Sequence, residues 1–132
     1  MPSIVVAVFL LAHGLIHASF VSPAPAPTAA GPEWPFSFDR SWVLGPLGVR
    51  PEVAHGLGAV LLLAVVGGYV VSALAVVGVV PGSWFAPALV TATVASAVLL
   101  GLFFHPWLVL GLVIDVLLLV ALARGWTPGA LG

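Results

Sequence analysis

The amino-acid sequence predicts an all-α integral membrane protein, a four-helix bundle with up-down topology. Composition is the first observation behind this prediction. The 132 residues are 62% hydrophobic and 5% charged, with a mean hydropathy of +1.29, whereas a soluble domain needs about a quarter of its residues charged. The second observation is that four stretches approach the roughly 20 apolar residues with which a helix crosses the hydrocarbon core. We therefore expect residues 1–132 to form a single transmembrane domain.

Prolines mark the limits of the four predicted helices, which cover residues 3–22, 52–77, 84–104 and 107–123. Pro51 and Pro106 stand where a first helical turn tolerates proline, because the nitrogen there has no intrahelical partner in any case. Pro23 ends the first span, because proline disrupts the interior of a helix. No positively charged residue precedes the apolar stretch of this span. We therefore expect it to be a retained helix rather than a cleaved signal peptide.

A long interfacial loop, residues 23–51, connects the first two predicted helices. Its central part interleaves aromatic and charged side chains: Trp34, Phe36, Phe38 and Trp42 with Glu33, Asp39 and Arg40. Amphipathic rings of this kind prefer the headgroup layer of a membrane. We expect the segment to lie in that layer or to fold over the mouth of the bundle. The role of an interfacial anchor is favoured over that of a functional lid.

Small residues recur every four positions on three of the predicted helices. The rows are Gly14-Ala18-Ser22, Ala64-Gly68-Ser72 and Ala88-Ala92-Ser96. Helices in lipid gain nothing from hydrophobic burial against each other, so small residues that let backbones approach closely support their association. The rows predict a compact bundle. They fit equally well a contact with a second copy or with a larger membrane complex.

All four histidines fall at one end of the predicted bundle, which we call the loop side because the 23–51 loop lies there. His13 and His17 are four residues apart and share one face of the first span. His55 lies one turn inside the second span, and His105 lies at the rim between the third and the fourth. A helical rise of ~1.5 Å per residue places His17 and His55 at a similar depth, roughly 5–8 Å from the loop-side edge.

Asp115 is the one charged side chain inside a predicted span. We expect Asp115 and His13 to lie deeper than the other histidines, each on the order of 13–15 Å from the edge. An aspartate that faces lipid costs about 2.5–3.5 kcal/mol or more, so Asp115 should face the interior of the bundle. Tyr69 lies ~21 Å beyond His55 along the second helix, which predicts a packing role in another layer.

Three chemistries suit this arrangement of polar residues. A transition metal such as Zn²⁺ or Cu²⁺ favours imidazole and could take His13, His17, His55 and Asp115 as ligands. A b-type haem needs two axial histidines on different helices, for which His17 and His55 are the candidates. A quinone needs a donor such as histidine and an acidic partner beside an apolar slot. The residues peripheral to the predicted site are His105, Glu33, Asp39 and Arg40.

No specific motif selects among these chemistries, because position 14 lacks the glutamate of a His-Glu-x-x-His zinc motif. Hydrogen bonding between helices without any ligand is the competing interpretation for each histidine taken alone.

The favoured function is a non-enzymatic membrane module that binds a metal or haem in the extracytoplasmic half of the bundle. The alternatives are an accessory subunit of a larger membrane complex and a small proton-coupled transporter that uses Asp115. A net charge of −1 leaves no basic surface for nucleic acid, so the expected partners are the lipid bilayer and a second copy or a membrane complex. The lysine-free, Ala- and Gly-rich composition points to the plasma membrane of a prokaryote. The usual topology of a short four-span protein places both termini in the cytoplasm.

Overall fold

The computed structural model describes residues 2–27, 29–31 and 33–127. Within these residues the regular structure is helical throughout and contains no β-strand. The helices are α1 (Pro2–Ile16), α2 (Pro51–Val76), α3 (Phe85–Leu102) and α4 (Val109–Ala123). Short 3₁₀ turns extend three of them: His17–Phe20 follows α1, Gly82–Trp84 precedes α3 and Pro106–Leu108 precedes α4. With these turns included, all four are long and apolar enough to cross a membrane. The prediction of an all-α chain with four candidate spans is confirmed.

The ends of the spans lie within two residues of the predicted limits. Differences of two residues occur at three ends: the first span ends at Phe20, and the third begins at Gly82 and ends at Leu102. The last turn of the first span tightens into the 3₁₀ conformation, and the chain bends at Val21 and Ser22. Pro23 explains the early end, because the residue before a proline is driven away from the helical conformation.

Each helix packs against the next one along the chain, and close backbone contacts hold α1, α2 and α3 together. At Gly68 on α2, an added Cβ atom would lie 2.8 Å from the carbonyl oxygen of Ala88 and 2.8 Å from the Cβ of Ala92 on α3. At Gly14 on α1, an added Cβ would lie 2.7 Å from the Cβ of Tyr69 on α2. These positions admit no side chain, so the small-residue rows form the interfaces within the bundle.

The N-terminal part of α2 projects beyond the end of α1. Gly14 lies about 9 Å from the end of the first span, whereas Tyr69 lies about 27 Å from the start of α2. Because these two residues touch, α2 begins on the order of 15–18 Å beyond the end of the first span at Phe20. His55 belongs to this projecting part.

The loop packs onto the projecting part of α2 and onto the end of α3. Phe38 is 8% exposed, and the centroid of its ring lies 5.0 Å from that of Phe20 and 5.2 Å from that of Phe103. An added Cβ at Gly58 would lie 2.6 Å from the same ring, so a larger residue there would have to displace the ring. The Ser41 hydroxyl donates a 2.6 Å hydrogen bond to the carbonyl of Leu102, a group that the end of a helix otherwise leaves without an intrahelical partner. The loop therefore covers the mouth of the bundle.

The fourth helix lies at the edge of the bundle. The structure describes every residue of this helix, and Asp115 is the only one that is fully buried. Large apolar side chains such as Leu110 and Leu117 are exposed on its outer face. In a membrane, this face contacts lipid.

Candidate metal centre

His13 on α1 and Asp115 on α4 meet in the interior of the bundle. The Nε2 atom of His13 lies 3.0 Å from Oδ1 of Asp115. His13 is 5% exposed and Asp115 is fully buried. The two residues were expected at the same depth, and the structure brings them into direct contact. This pair joins the first helix of the bundle to the last.

Tyr69 on α2 contacts the same carboxylate, so the prediction that it packs in another layer is wrong. Its hydroxyl donates a hydrogen bond of 2.5 Å to Oδ1 of Asp115. Its ring also meets the imidazole of His13 edge to face, with 5.0 Å between the centroids. The prediction placed the start of α2 level with the other helix ends. Because α2 instead projects beyond α1, Tyr69 lies beside Gly14, at the depth of the site.

His17 is held in one tautomer by its backbone partner. Its Nδ1 atom lies 2.9 Å from the carbonyl oxygen of His13. A carbonyl only accepts hydrogen bonds, so Nδ1 carries the proton, and in the neutral ring Nε2 carries the lone pair. This Nε2 lies 2.8 Å from the hydroxyl of Ser96 on α3, which then acts as the donor. With Ser96, all four helices contribute to one polar cluster.

Three residues of the cluster offer ligand atoms to a single point. One atom each from His13, His17 and Asp115 lies within 4.8 Å of the other two, and all three residues are buried. His13 and His17 can supply nitrogen, and Asp115 can supply a carboxylate oxygen. These are ligand types that Zn²⁺ and Cu²⁺ accept.

The second oxygen of Asp115 has an unusual environment. Oδ2 is buried and has no hydrogen-bond partner among residues 2–27, 29–31 and 33–127. Most buried polar atoms in proteins are paired, and an exception calls for an explanation such as a bound water or ion. A carboxylate whose Oδ1 accepts two hydrogen bonds and whose Oδ2 accepts none is suited to bind something more.

His55 lies outside the cluster. Its Nδ1 is 2.9 Å from the carbonyl oxygen of Pro51, and its Nε2 is 3.0 Å from Oδ1 of Asp39 in the loop. Its ring packs on Phe38 at the mouth of the bundle. The structure thus brings His13, His17 and Asp115 together but does not bring His55 to them. The expectation that His17 and His55 share a layer fails for the same reason as the prediction for Tyr69, because α2 projects.

The four residues predicted to be peripheral all lie toward the surface on the loop side. Arg40 forms an exposed ion pair with Glu33, and Asp39 pairs with His55. His105 precedes the 3₁₀ turn of α4, where its Nδ1 accepts a 3.2 Å hydrogen bond from the backbone N–H of Trp107. A capping role accounts for this contact of His105.

Sequence reasoning missed Tyr69 and Ser96 as members of the cluster. The row Ala88-Ala92-Ser96 did place Ser96 on the packing face of α3, and its hydroxyl is the polar group on that row. No signal in the sequence gives the stagger of α2, on which the position of Tyr69 depends.

No protein-family model, curated protein or solved structure matches this chain. What the site can do follows from its own side chains and their geometry.

Proposed function

We propose that this protein binds one divalent transition-metal ion, Zn²⁺ or Cu²⁺, through His13, His17 and Asp115 inside the membrane. The observation that carries the proposal is the convergence of three buried ligand atoms to within 4.8 Å of one another. His13 and Asp115 lie near the middle of their spans and His17 lies toward the loop side, which we expect to be extracytoplasmic. The proposed setting is the plasma membrane of a prokaryote, with both termini in the cytoplasm.

The distances are close to those of a loaded site. Zn–N and Zn–O bonds of about 2.0–2.2 Å place neighbouring ligand atoms of a tetrahedron about 3.3–3.5 Å apart. His13 Nε2 and Asp115 Oδ1 already lie 3.0 Å apart, and an ion bound between them would displace the proton that they share in the empty site. Shifts of about an ångström, within reach of side-chain rotation, would draw the ligands around an ion. The unpaired Oδ2 of Asp115 gives the carboxylate a second oxygen to offer.

The partners of the ligands also suit metal binding. A ligating histidine is usually fixed through its other ring nitrogen, which donates to a carbonyl or carboxylate. His17 has this arrangement, because its Nδ1 donates to the carbonyl of His13 and leaves Nε2 for the ion. Tyr69 donates to Asp115 and can orient the carboxylate in the same way.

The ligand set favours divalent zinc or copper over other metals. The chain has no cysteine, so the soft thiolates preferred by Cu⁺ are absent. Two nitrogens and one carboxylate oxygen are too few and too nitrogen-rich for Ca²⁺ or Mg²⁺, which prefer six or more oxygens. Three protein ligands leave one position of a tetrahedral zinc site open.

The alternatives have less support. A haem between His17 and His55 would need both rings to turn toward a common centre, whereas His55 is bonded to Asp39 and Pro51. A proton-coupled transporter would need a path of polar groups that continues from the cluster to the opposite side of the bundle. Ser72 and Thr93 instead bond carbonyls of their own helices.

Metal analysis and calorimetry test the proposal. The purified protein in detergent, stripped with a chelator, should bind one Zn²⁺ per chain, and Mg²⁺ should not compete. His13→Ala, His17→Ala and Asp115→Asn should each weaken Zn²⁺ binding at least tenfold, because each variant removes or weakens one of only three ligands.

Two histidines outside the cluster provide matched controls. His55→Ala and His105→Ala should bind Zn²⁺ as the unchanged protein does. Zinc binding that survives His17→Ala, or that is lost with His55→Ala, would contradict the assignment. If the unchanged protein binds no zinc or copper, the cluster is a hydrogen-bonding network, and the accessory-subunit function becomes the better proposal.

A further inference from the structure

Ser96 differs from the other hydroxyl residues of the membrane helices. Ser72, Thr91 and Thr93 each donate to the carbonyl four residues earlier on their own helix, which is the common arrangement in membrane spans. The Ser96 hydroxyl is fully buried and instead lies 2.8 Å from Nε2 of His17, on another helix. It leaves the carbonyl of its own helix, at Ala92, without a hydroxyl donor.

The hydrogen bond from Ser96 occupies the nitrogen of His17 that a metal ion would need. The proton on Nδ1 of His17 is held by the carbonyl of His13, so Nε2 is the nitrogen of His17 that can bind an ion. In the neutral ring, the lone pair of Nε2 accepts the Ser96 hydroxyl proton. One lone pair cannot serve both a hydroxyl proton and a metal ion. Binding of the metal by His17 therefore requires that the hydrogen bond from Ser96 be broken.

We propose that the Ser96 hydroxyl competes with the metal ion for Nε2 of His17. The hydroxyl donates to Nε2 in the empty site and turns to the carbonyl of Ala92 when the site is filled. This inference rests on the proposed metal function and adds a contact that lowers the affinity of the site for the metal. Rotation about the Cα–Cβ bond of Ser96 moves the hydroxyl from one acceptor to the other, so neither state leaves a buried donor without a partner. The second position is the one that Ser72 and Thr93 already occupy on their own helices.

The proposed competition predicts a change in zinc affinity that is opposite to the change expected of a serine with a purely structural role. Ser96→Ala removes the hydrogen bond to His17 from the empty protein. From the filled protein it removes only a second, weaker hydrogen bond to the Ala92 carbonyl, which already accepts a backbone hydrogen bond within α3. The empty protein should lose stability, and the affinity for zinc should rise. The strength of a hydrogen bond between membrane helices sets the upper limit of this affinity gain at about 3- to 17-fold, and the bond lost to the Ala92 carbonyl reduces it. If Ser96 only supported the fold of the site, the same substitution would weaken zinc binding.

Zinc titrations of the full-length protein in detergent test the inference. The unchanged protein, Ser96→Ala and Ser96→Thr are compared, with Ser72→Ala as the matched control because its hydroxyl already bonds its own helix. We expect tighter binding by Ser96→Ala alone. Ser96→Thr keeps the hydroxyl and should bind zinc like the unchanged protein.

Nuclear magnetic resonance gives a second test, and its first measurement needs only the unchanged protein. Zinc should move the carbonyl carbon resonance of Ala92, because this carbonyl gains the Ser96 hydroxyl. It should move that of Pro87 little, because the hydroxyl that bonds Pro87 belongs to Thr91, outside the cluster. The ¹⁵N resonance of His17 Nε2 should differ between the empty unchanged protein and empty Ser96→Ala, and should coincide once both are loaded.

The outcomes separate the two proposals. If the unchanged protein binds no zinc, the proposed function fails, and this inference fails with it. If the unchanged protein binds zinc and Ser96→Ala binds it equally or more weakly, only the competition is overturned. An Ala92 resonance that stays in place while zinc binds at His17 also overturns it.

Discussion

Replacing Asp115 with leucine should destabilise the bundle by an amount that can be worked out from its contacts. The carboxylate accepts hydrogen bonds from Tyr69 and His13, and leucine leaves both donors without this acceptor. Measured hydrogen bonds between membrane helices average about 0.6 kcal/mol and reach about 1.7 kcal/mol. Two such bonds give a loss of about 1–3.5 kcal/mol in the free energy of unfolding. Asp115→Asn keeps an acceptor oxygen and should lose less than half as much.

Reversible unfolding in mixed micelles, followed by circular dichroism with a chelator present, measures this loss without any contribution from a bound metal. A double-mutant cycle with Tyr69→Phe isolates one of the two bonds. Removing the Tyr69 hydroxyl should cost about 0.6–1.7 kcal/mol in the unchanged protein and close to nothing in Asp115→Leu. If Asp115→Leu unfolds like the unchanged protein, or if Tyr69→Phe costs the same in both backgrounds, the hydrogen-bonded cluster does not hold the helices together.

Two further substitutions test the packing and the loop. Gly68→Ala should destabilise the protein by about 1–3 kcal/mol, because the new methyl group would lie 2.8 Å from the backbone of Ala88. Gly67→Ala meets open space and should be neutral or stabilising by up to about 1 kcal/mol; equal losses for the two in unfolding measurements would contradict the described α2–α3 interface. Ser41→Ala removes the hydrogen bond to Leu102 and should raise hydrogen exchange in the loop while helix content stays unchanged. Unaltered exchange would mean that this bond does not hold the loop on the bundle.

The helices could be predicted from the sequence because the features that define them are local. An unbroken apolar stretch bounded by proline predicts a span within a residue or two, and a row of small residues predicts a close interface. Gly68 on α2 and Ala92 on α3 lie where these rows predict.

The site was predictable only in part, because its assembly depends on how the helices are staggered. Counting depth from the helix ends works for His13 and Asp115, whose spans end near the same level, and they form a hydrogen bond. The same count fails on α2, which is 26 residues long and starts well beyond its neighbours. His55 therefore lies outside the cluster and Tyr69 inside it. The stagger follows from the fit of Gly14 against Tyr69 and of Gly58 against Phe38, which are long-range contacts that no local pattern contains.

The position of Asp115 has a consequence for how the protein is made. An aspartate near the middle of a helix costs about 2.5–3.5 kcal/mol when that helix enters the bilayer alone, and the leucines and valines of α4 must offset this cost. Its donors, His13 and Tyr69, belong to helices that precede α4 in the chain and are synthesised earlier. We expect α1, α2 and α3 to assemble first and α4 to dock last. The aspartate then sets the depth and rotation of α4, because only one position of α4 along the other helices brings its carboxylate to the His13 and Tyr69 donors.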